Sequence, residues 1–360
     1  MADHTDPFHV TTCETDTLQG CFGQANPVTL SKINTMKQVV IVVPNKYVNL
    51  SSVAGSYEIL TRANDYWQRI GNRSKWEVKV AGFESELQLD AGLFTIHPVP
   101  ISEIKKTDLV LIPSLANKGF DSLLAENAAL ISWIREQYKN GAEIASICSG
   151  AFLLAATGLL EGKTCSTHWN VANDFRRLFP NINLHVDKLI AEEPGIYTNG
   201  GAFSFLHLVL FLVEKYFDRE TAIFCSKIFQ IDIERTSQSP FLIFQIQKNH
   251  GDDVINQAQT FIEENLGEKI SFEELSSKLA VSRRNFDRRF IKATGNTPVE
   301  YLQRVKVEAA KRSLESGRKT VFEVMSDVGY ADDKAFREVF KKITGLSPLD
   351  YKAKYATSLQ

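Results

Sequence analysis

Short apolar runs and amphipathic stretches alternate through the first two thirds of the chain. Val39 to Val43 is a β-branched block ending at Pro44, the composition of a strand buried on both faces of a parallel sheet. A helical pattern follows from Val53 to Ile70, with Ile59, Leu60, Ala63 and Tyr66 among its apolar positions. The same reading predicts strands at Trp76 to Ala81, Phe94 to His97, Leu109 to Ile112 and Glu143 to Ile147, with a helix from Ala125 to Asn140 between the last two. Strands near Asp187 to Ala191 and Ile196 to Thr198, then helices over Gly201 to Phe217 and Glu220 to Ile231, close the region. This alternation predicts an α/β layered domain over residues 37–233. Residues 1–36 are polar, rich in Thr and Asp and aperiodic, and read as a disordered leader. Residues 234–251 hold Ser237, Gln238, Ser239 and Pro240 and read as a linker, although Phe241 to Phe244 gives it an apolar surface with which to dock.

Beyond the linker, residues 252–356 carry a helical pattern, opening with a helix from Asp253 to Asn265. Here Phe286 to Tyr301 returns fifty residues later as Phe336 to Tyr351. Phe286/Phe336, Phe290/Phe340, Lys292/Lys342, Thr294/Thr344, Gly295/Gly345, Pro298/Pro348 and Tyr301/Tyr351 are identical pairs at one offset, so two copies of one structural unit are predicted. Each copy reads as a helix-turn-helix: Glu273 to Ala280, then a helix capped by Ser282; and Val321 to Val328, then a helix capped near Asp332 or Asp333. Phe286 and Phe290, four residues apart, pack inward and turn Arg283, Arg284, Asn285, Asp287, Arg288 and Lys292 outward. The second copy exposes Lys334, Arg337, Glu338 and Lys341 in the same way. Arg, Lys and Asn are the side chains that pair well with purine edges in the major groove of double-stranded DNA, and two such helices in one monomer suit successive grooves about 34 Å apart.

Charge sharpens this picture. The whole chain is close to neutral, at -2, but between Ser282 and Lys319 eleven Lys and Arg face four acids, the local excess that phosphate neutralisation needs. The alternative, an interaction module with a merely solvated basic face, does not require so concentrated an excess. Five cysteines at Cys13, Cys21, Cys148, Cys165 and Cys225 show no metal-ligand spacing, so neither a metal site nor a disulfide framework is predicted. The apolar run from Phe203 to Val213 is too short to span a bilayer, and no signal segment opens the chain, so a cytoplasmic protein without membrane contact is expected.

One further site stands out. Glu143 to Ile147 runs straight into Cys148, Ser149 and Gly150 and then a helix, which places Cys148 at the carboxyl edge of the sheet, where open α/β folds bind ligands. The helix N-terminus there predicts a thiol of lowered pKa. His168, followed by Trp169, is the matching base. Against this stands the plainer reading of Cys148 as a small packing residue and His168 as a satisfied core histidine.

Asp252 to Tyr355 resembles the AraC/XylS-type DNA-binding domain through Ser282, Phe286, Arg288, Phe290, Gly295, Pro298, Tyr301, Arg304, Ala309 and Leu314, then Gly329, Tyr330, Phe336, Phe340, Gly345, Pro348 and Tyr351. The resemblance implies that Arg284, Asp287 and Arg288 face bases in the first unit and Asp333, Lys334 and Glu338 in the second. Glu338 stands where the family usually has Arg, so the second helix is expected to contribute less affinity. Ala145 to Trp169, with Gly55 to Asn64, Thr198 to Gly201 and Gln238 to Phe241, resembles the class I glutamine amidotransferase-like, PfpI-like fold of the GlxA-like regulators, a flavodoxin-like three-layer domain. Catalytic relatives need an acid after the first strand. Here Asn49, Leu50, Ser51 and Ser52 offer none before Glu58. The resemblance therefore implies a non-catalytic sensor, with Cys148, Ser149, His168 and Trp169 around a small effector such as an amino acid or quaternary ammonium compound, and no cofactor. Trp169 and Tyr57 offer aromatic faces to a cation, or are ordinary core aromatics. A promoter duplex, RNA polymerase and a second copy of the chain are the further partners implied. A Cys-dependent amidase or hydrolase fused to a DNA-binding domain, and a constitutive regulator that only dimerises through the α/β half, are the alternatives.

Overall fold

The computed structural model describes residues 37–356, apart from Tyr47, Asn117, Lys118, Glu234, Thr236, residues 245–247 and Asn249. The leader expected over residues 1–36 lies outside the described residues. The sheet half begins with β1 (Lys37–Val43), α1 (Leu50–Arg69), β2 (Trp76–Gly82), β3 (Leu87–Leu89), β4 (Phe94–Ile96), β5 (Val99–Pro100) and β6 (Leu109–Ile112). It continues with α2 (Phe120–Glu126), α3 (Ala128–Lys139), β7 (Glu143–Ile147), α4 (Ala151–Ala156), β8 (Thr164–Cys165), α5 (Ala172–Leu178) and β9 (Asn183–Leu184). It closes with β10 (Ile190–Glu193), β11 (Ile196–Asn199), α6 (Phe205–Tyr216) and α7 (Arg219–Phe229).

Seven strands form one sheet in the order β10-β11-β7-β6-β1-β2-β5, parallel except for β10. Its central strands explain the unbroken apolar run of β1. Val40 and Val42 enter the core beneath α2, α3 and α4, while Val39, Ile41 and Val43 enter the core beneath α1, α6 and α7. Alternation is invisible in such a sequence because both faces are buried. The sheet half is thus the three-layer α/β fold expected.

Two local expectations change. The helix predicted from Ala125 to Asn140 is two helices, broken at Asn127. Asn127 Oδ1 accepts the Asn45 amide at 2.8 Å and its Nδ2 donates to the Leu123 carbonyl at 2.9 Å, so this side chain pins the loop after β1 instead of continuing a helix. The strand at Phe94–Ile96 pairs with Leu87–Leu89 in a separate hairpin and does not join the main sheet.

The helical half contains α8 (Asp253–Glu264), α9 (Phe272–Lys278), α10 (Arg283–Thr294), α11 (Pro298–Glu315), α12 (Val321–Asp327), α13 (Asp333–Thr344) and α14 (Pro348–Tyr355). The fifty-residue repeat is a repeat of packing. Phe286, Phe290 and Tyr301 centre one core, and Phe336, Phe340 and Tyr351 centre another. In both, the second Phe and the Tyr meet edge to face, with ring centroids 5.3 and 5.5 Å apart. Gly295 and Gly345 end α10 and α13 in the left-handed region, at φ 68° and 75°, which favours glycine. The helix α11 belongs to both cores, giving Tyr301 and Val305 to the first and Val307, Ala310 and Leu314 to the second. At 1.5 Å per residue it is a rod of about 27 Å that fixes one unit against the other.

Candidate functional site

On α10, Arg284, Arg288 and Lys292 are exposed and spaced four residues apart, so they form one cationic stripe along the helix. Arg284 and Lys292 have no ion-pair partner among the described residues, and Arg288 makes only a 3.1 Å contact to Asn285 Oδ1. Several other basic residues of the segment are committed elsewhere. Arg283 pairs with Asp287 at 2.9 Å and with Glu273 at 3.4 Å. Arg289 grips Asp252, the N-cap of α8, with contacts of 2.9 and 2.6 Å. Lys306 is buried and donates to the Gly329 carbonyl, and buried Lys311 pairs with Glu308 at 2.8 Å. The net excess read along the sequence therefore overstates the charge available at the helix surface, and three of the remaining cations share one stripe of α10.

The second unit repeats this plan with altered charges. Fifty residues on, the stripe reads Lys334, Glu338 and Lys342. The intrahelical pair Arg283–Asp287 becomes Asp333–Arg337 at 2.7 Å, the same bridge with its polarity reversed. Arg337 is tied within its helix as Arg283 is, while Lys334 and Lys341 remain exposed. The net charge on the stripe thus falls from three cations to two cations and one anion.

In the sheet half, Cys148 occupies a strand-to-helix elbow at φ 55°, a conformation that a residue bearing a Cβ adopts at a cost. Close packing around the elbow enforces it. A Cβ on Gly150 would lie 2.5 Å from the Pro113 carbonyl oxygen, and the Ser149 hydroxyl is held by the Leu115 amide at 2.8 Å and the Leu115 carbonyl at 2.7 Å. The lowered thiol pKa expected from the helix terminus is not found. Burial pushes the Cys148 thiol up, and the groups that oppose this are Ser114 and Ser149, not His168. Desolvation outweighs the dipole because α4 is one short helix beneath a thiol that is only 5 % exposed.

His168 is half-buried, and burial lowers its pKa, so the imidazole is biased to the neutral form. Its Nδ1 accepts the Asn170 amide at 3.0 Å, which places the ring proton on Nε2. Trp169 lies beside it with ring centroids 5.3 Å apart. Among the described residues no acid is a cause of the shift at Cys148 or His168. Asn49 caps α1 through the Ser51 amide, and Ser52 accepts the Ser114 amide at 3.0 Å. Ser114 was not singled out from sequence. The available signal was its position just past β6, whose Ile112 is in register with Ser146 two residues before the elbow.

A neutral thiol has a measurable signature. Carbamidomethylation of Cys148 by iodoacetamide in the folded chain is expected to lag well behind a free cysteine from about pH 7 to 9, because only thiolate reacts and free cysteine titrates near 8.5. Cys165, pushed up to about 12, and Cys225, pushed up to about 11, should lag as well. Peptide mass spectrometry reads each site separately, and rapid labelling of Cys148 at pH 7 would contradict the assignment.

The linker connects this site to the helical half. Thr167 Oγ1 donates to the Cys148 carbonyl at 2.8 Å, and the Thr167 carbonyl accepts Gln238 Nε2 at 3.1 Å. The same amide nitrogen reaches the Lys188 carbonyl at 3.2 Å, and the Gln238 backbone amide bonds to the Asp187 carbonyl. Gln238 occupies space that exists because residue 200 is glycine: a Cβ there would lie 1.9 Å from Nε2. The next residues, Ser239 and Pro240, lie against Gly345 at the end of α13, and Tyr355 donates to the Pro240 carbonyl at 3.4 Å. The apolar docking surface expected of the linker is realised by Phe244, whose ring meets Tyr301 edge to face at 5.4 Å.

Among the described residues no helix is long and apolar enough to cross a membrane. The model of the DJ-1/PfpI family matches residues 37–213, and that of a helix-turn-helix domain of AraC type matches residues 275–354. The chain is similar to the HTH-type transcriptional regulator GbdR of Pseudomonas aeruginosa, 25% identical over 223 residues that cover 61% of this chain and 60% of GbdR. It is also similar to the regulator CdhR of Pseudomonas aeruginosa, 24% identical over 69% of this chain and 73% of CdhR. Its sheet half is similar to isonitrile hydratase of Pseudomonas putida, 27% identical over 135 residues, 37% of this chain and 54% of that enzyme. The match thus spans less than two thirds of GbdR. The chain thus carries a DJ-1/PfpI domain followed by a helix-turn-helix domain of AraC type.

Proposed function

We propose that the DJ-1/PfpI half senses a small nitrogen-containing metabolite at the Cys148 elbow and that the helix-turn-helix units, seated on promoter DNA, convey the outcome to RNA polymerase. The observation that carries the non-catalytic part of this reading is the protonation bias of Cys148 and of His168. Burial biases Cys148 and His168 each toward the uncharged form, and among the described residues no carboxylate is a cause of either shift, which disfavours the thiolate–imidazolium pair of a Cys nucleophile. Trp169 beside His168, and half-exposed Tyr57 on α1, offer aromatic faces to an ammonium group. The hydrogen bonds from the Cys148 carbonyl through Thr167 to Gln238 supply a connection by which occupancy of the elbow biases the linker. A ligand shifts that equilibrium only if it binds the two arrangements unequally. Dimerisation through the sheet half belongs to the same proposal.

A thermal-shift screen of amino acids and quaternary ammonium compounds on the full chain tests this reading. At least one compound is expected to raise the melting temperature and to change affinity for an operator selected from random duplex, with both effects lost in Trp169→Ala. A screen with no response would favour a constitutive regulator. The retained strain at Cys148, φ 55°, favours the competing amidase or hydrolase reading. Turnover of an amide or isonitrile by purified protein, abolished in Cys148→Ala, would establish that reading instead.

A further inference from the structure

A cavity of about 150 Å³ lies between α5 of the sheet half and the α10–α11 turn with α11 of the helical half. Its volume is about ten times what a single water requires. Arg176, whose outer part stays open to solvent, reaches it from α5 and Arg304 from α11; partial burial, then the nearby Arg304 charge, lower the pKa of Arg176. Neither has an ion-pair partner within 4 Å among the described residues, and the neighbouring acids are already engaged. Glu308 lines the cavity but holds Lys311 at 2.8 Å and the Phe244 amide at 3.1 Å. The Glu300 carboxylate, one turn before Arg304 and within reach of its charge, accepts the Thr297 amide and hydroxyl, each at 2.9 Å. Asp174 leans toward Arg177, which also takes Asp121.

Two guanidinium groups stay charged at any ordinary pH, so their convergence costs free energy unless an anion lies between them. We propose that this seam is a binding site for a small oxyanion, a carboxylate or a phosphate compound, that bridges Arg176 and Arg304. Both groups present planar forks suited to bidentate capture of such an ion. One fork sits on the sheet half and the other on the rod shared by both helix-turn-helix units, so a bound anion ties the two halves together. The cavity adjoins the proposed effector site, since Trp169 contributes to its wall, but Arg176 and Arg304 belong to the cavity alone.

Differential scanning fluorimetry of the full chain tests the site, with inorganic phosphate and succinate as separate arms against sodium chloride at matched ionic strength. At saturation at least one oxyanion should raise the melting temperature by about 2 °C or more over chloride. A response to phosphate alone assigns a phosphorylated ligand, and a larger response to succinate assigns a carboxylate. Arg176→Gln and Arg304→Gln should each abolish the response. Arg176→Glu should melt higher than Arg176→Gln in chloride alone, since it supplies Arg304 with a carboxylate from within the chain. Equal responses in wild type and both Gln variants, no oxyanion-specific response in wild type, or an Arg176→Glu chain no more stable than Arg176→Gln would each overturn the site.

Discussion

Replacing Arg284 and Arg288 together by Ala is expected to weaken specific binding to a selected operator by roughly two to four orders of magnitude, since a good bidentate base contact discriminates by about 1–3 kcal/mol. The two side chains are exposed on α10 and are not spent on ion pairs among the described residues, while Phe286 and Phe290 hold the helix from its other face. Alanine favours helix at both positions, so α10 survives the change and far-ultraviolet circular dichroism should be unaltered. The same experiment on the second unit should give less. Lys334→Ala should cost no more than about tenfold, and Glu338→Arg, which restores the cationic stripe, should tighten binding. Electrophoretic titration at several salt concentrations adds a second readout, because losing one phosphate contact lowers the salt slope by about 0.9. Unchanged operator affinity in the double variant would remove α10 from the groove and with it the proposed reading of DNA.

The contrast between the units also marks where sequence reasoning stops. The repeat was legible because its identities, Phe, Phe, Gly, Pro and Tyr, are the residues that build each core, and buried aromatics at a fixed spacing leave few alternatives. Which cations stay available was not legible. Arg289 is an obvious surface charge in one dimension, but it is held by Asp252, thirty-seven residues earlier, through a fold that brings α8 against α10. The elbow behaved similarly. Its place at the end of β7 followed from apolar strand into Cys-Ser-Gly, whereas the protonation state of Cys148 depends on how completely helices and loops distant in sequence exclude water. Asn127 is a third case: only the approach of Asn45, eighty-two residues away, makes it a helix break. Strands of two residues, such as β5 and β8, fall below the length at which periodicity can be read at all.

Gly200→Ala should break the connection between sheet edge and linker more completely than any change at the elbow itself. Its new methyl group would lie 1.9 Å from Gln238 Nε2 and 2.8 Å from Ser166 Oγ, so the Gln238 side chain has to move. Gln238, only 1 % exposed, must then leave, abandoning its bonds to the Thr167 and Lys188 carbonyls. Unsatisfied buried groups cost about 1–3 kcal/mol each, so a loss of roughly 2–4 kcal/mol is expected in chemical denaturation of the full chain. Gln238→Ala removes the same bonds without the clash and should cost about half as much. The two changes act on one contact, so the double variant should be no less stable than Gly200→Ala alone, and strict additivity would show that they do not share it. Because Gln238 leads directly into Ser239 and Pro240 against Gly345, the single variants should retain operator binding by α10 but lose its dependence on any effector found by the thermal screen. An effector response that survives Gly200→Ala would place the coupling elsewhere, with the proposed Arg176–Arg304 seam as one candidate.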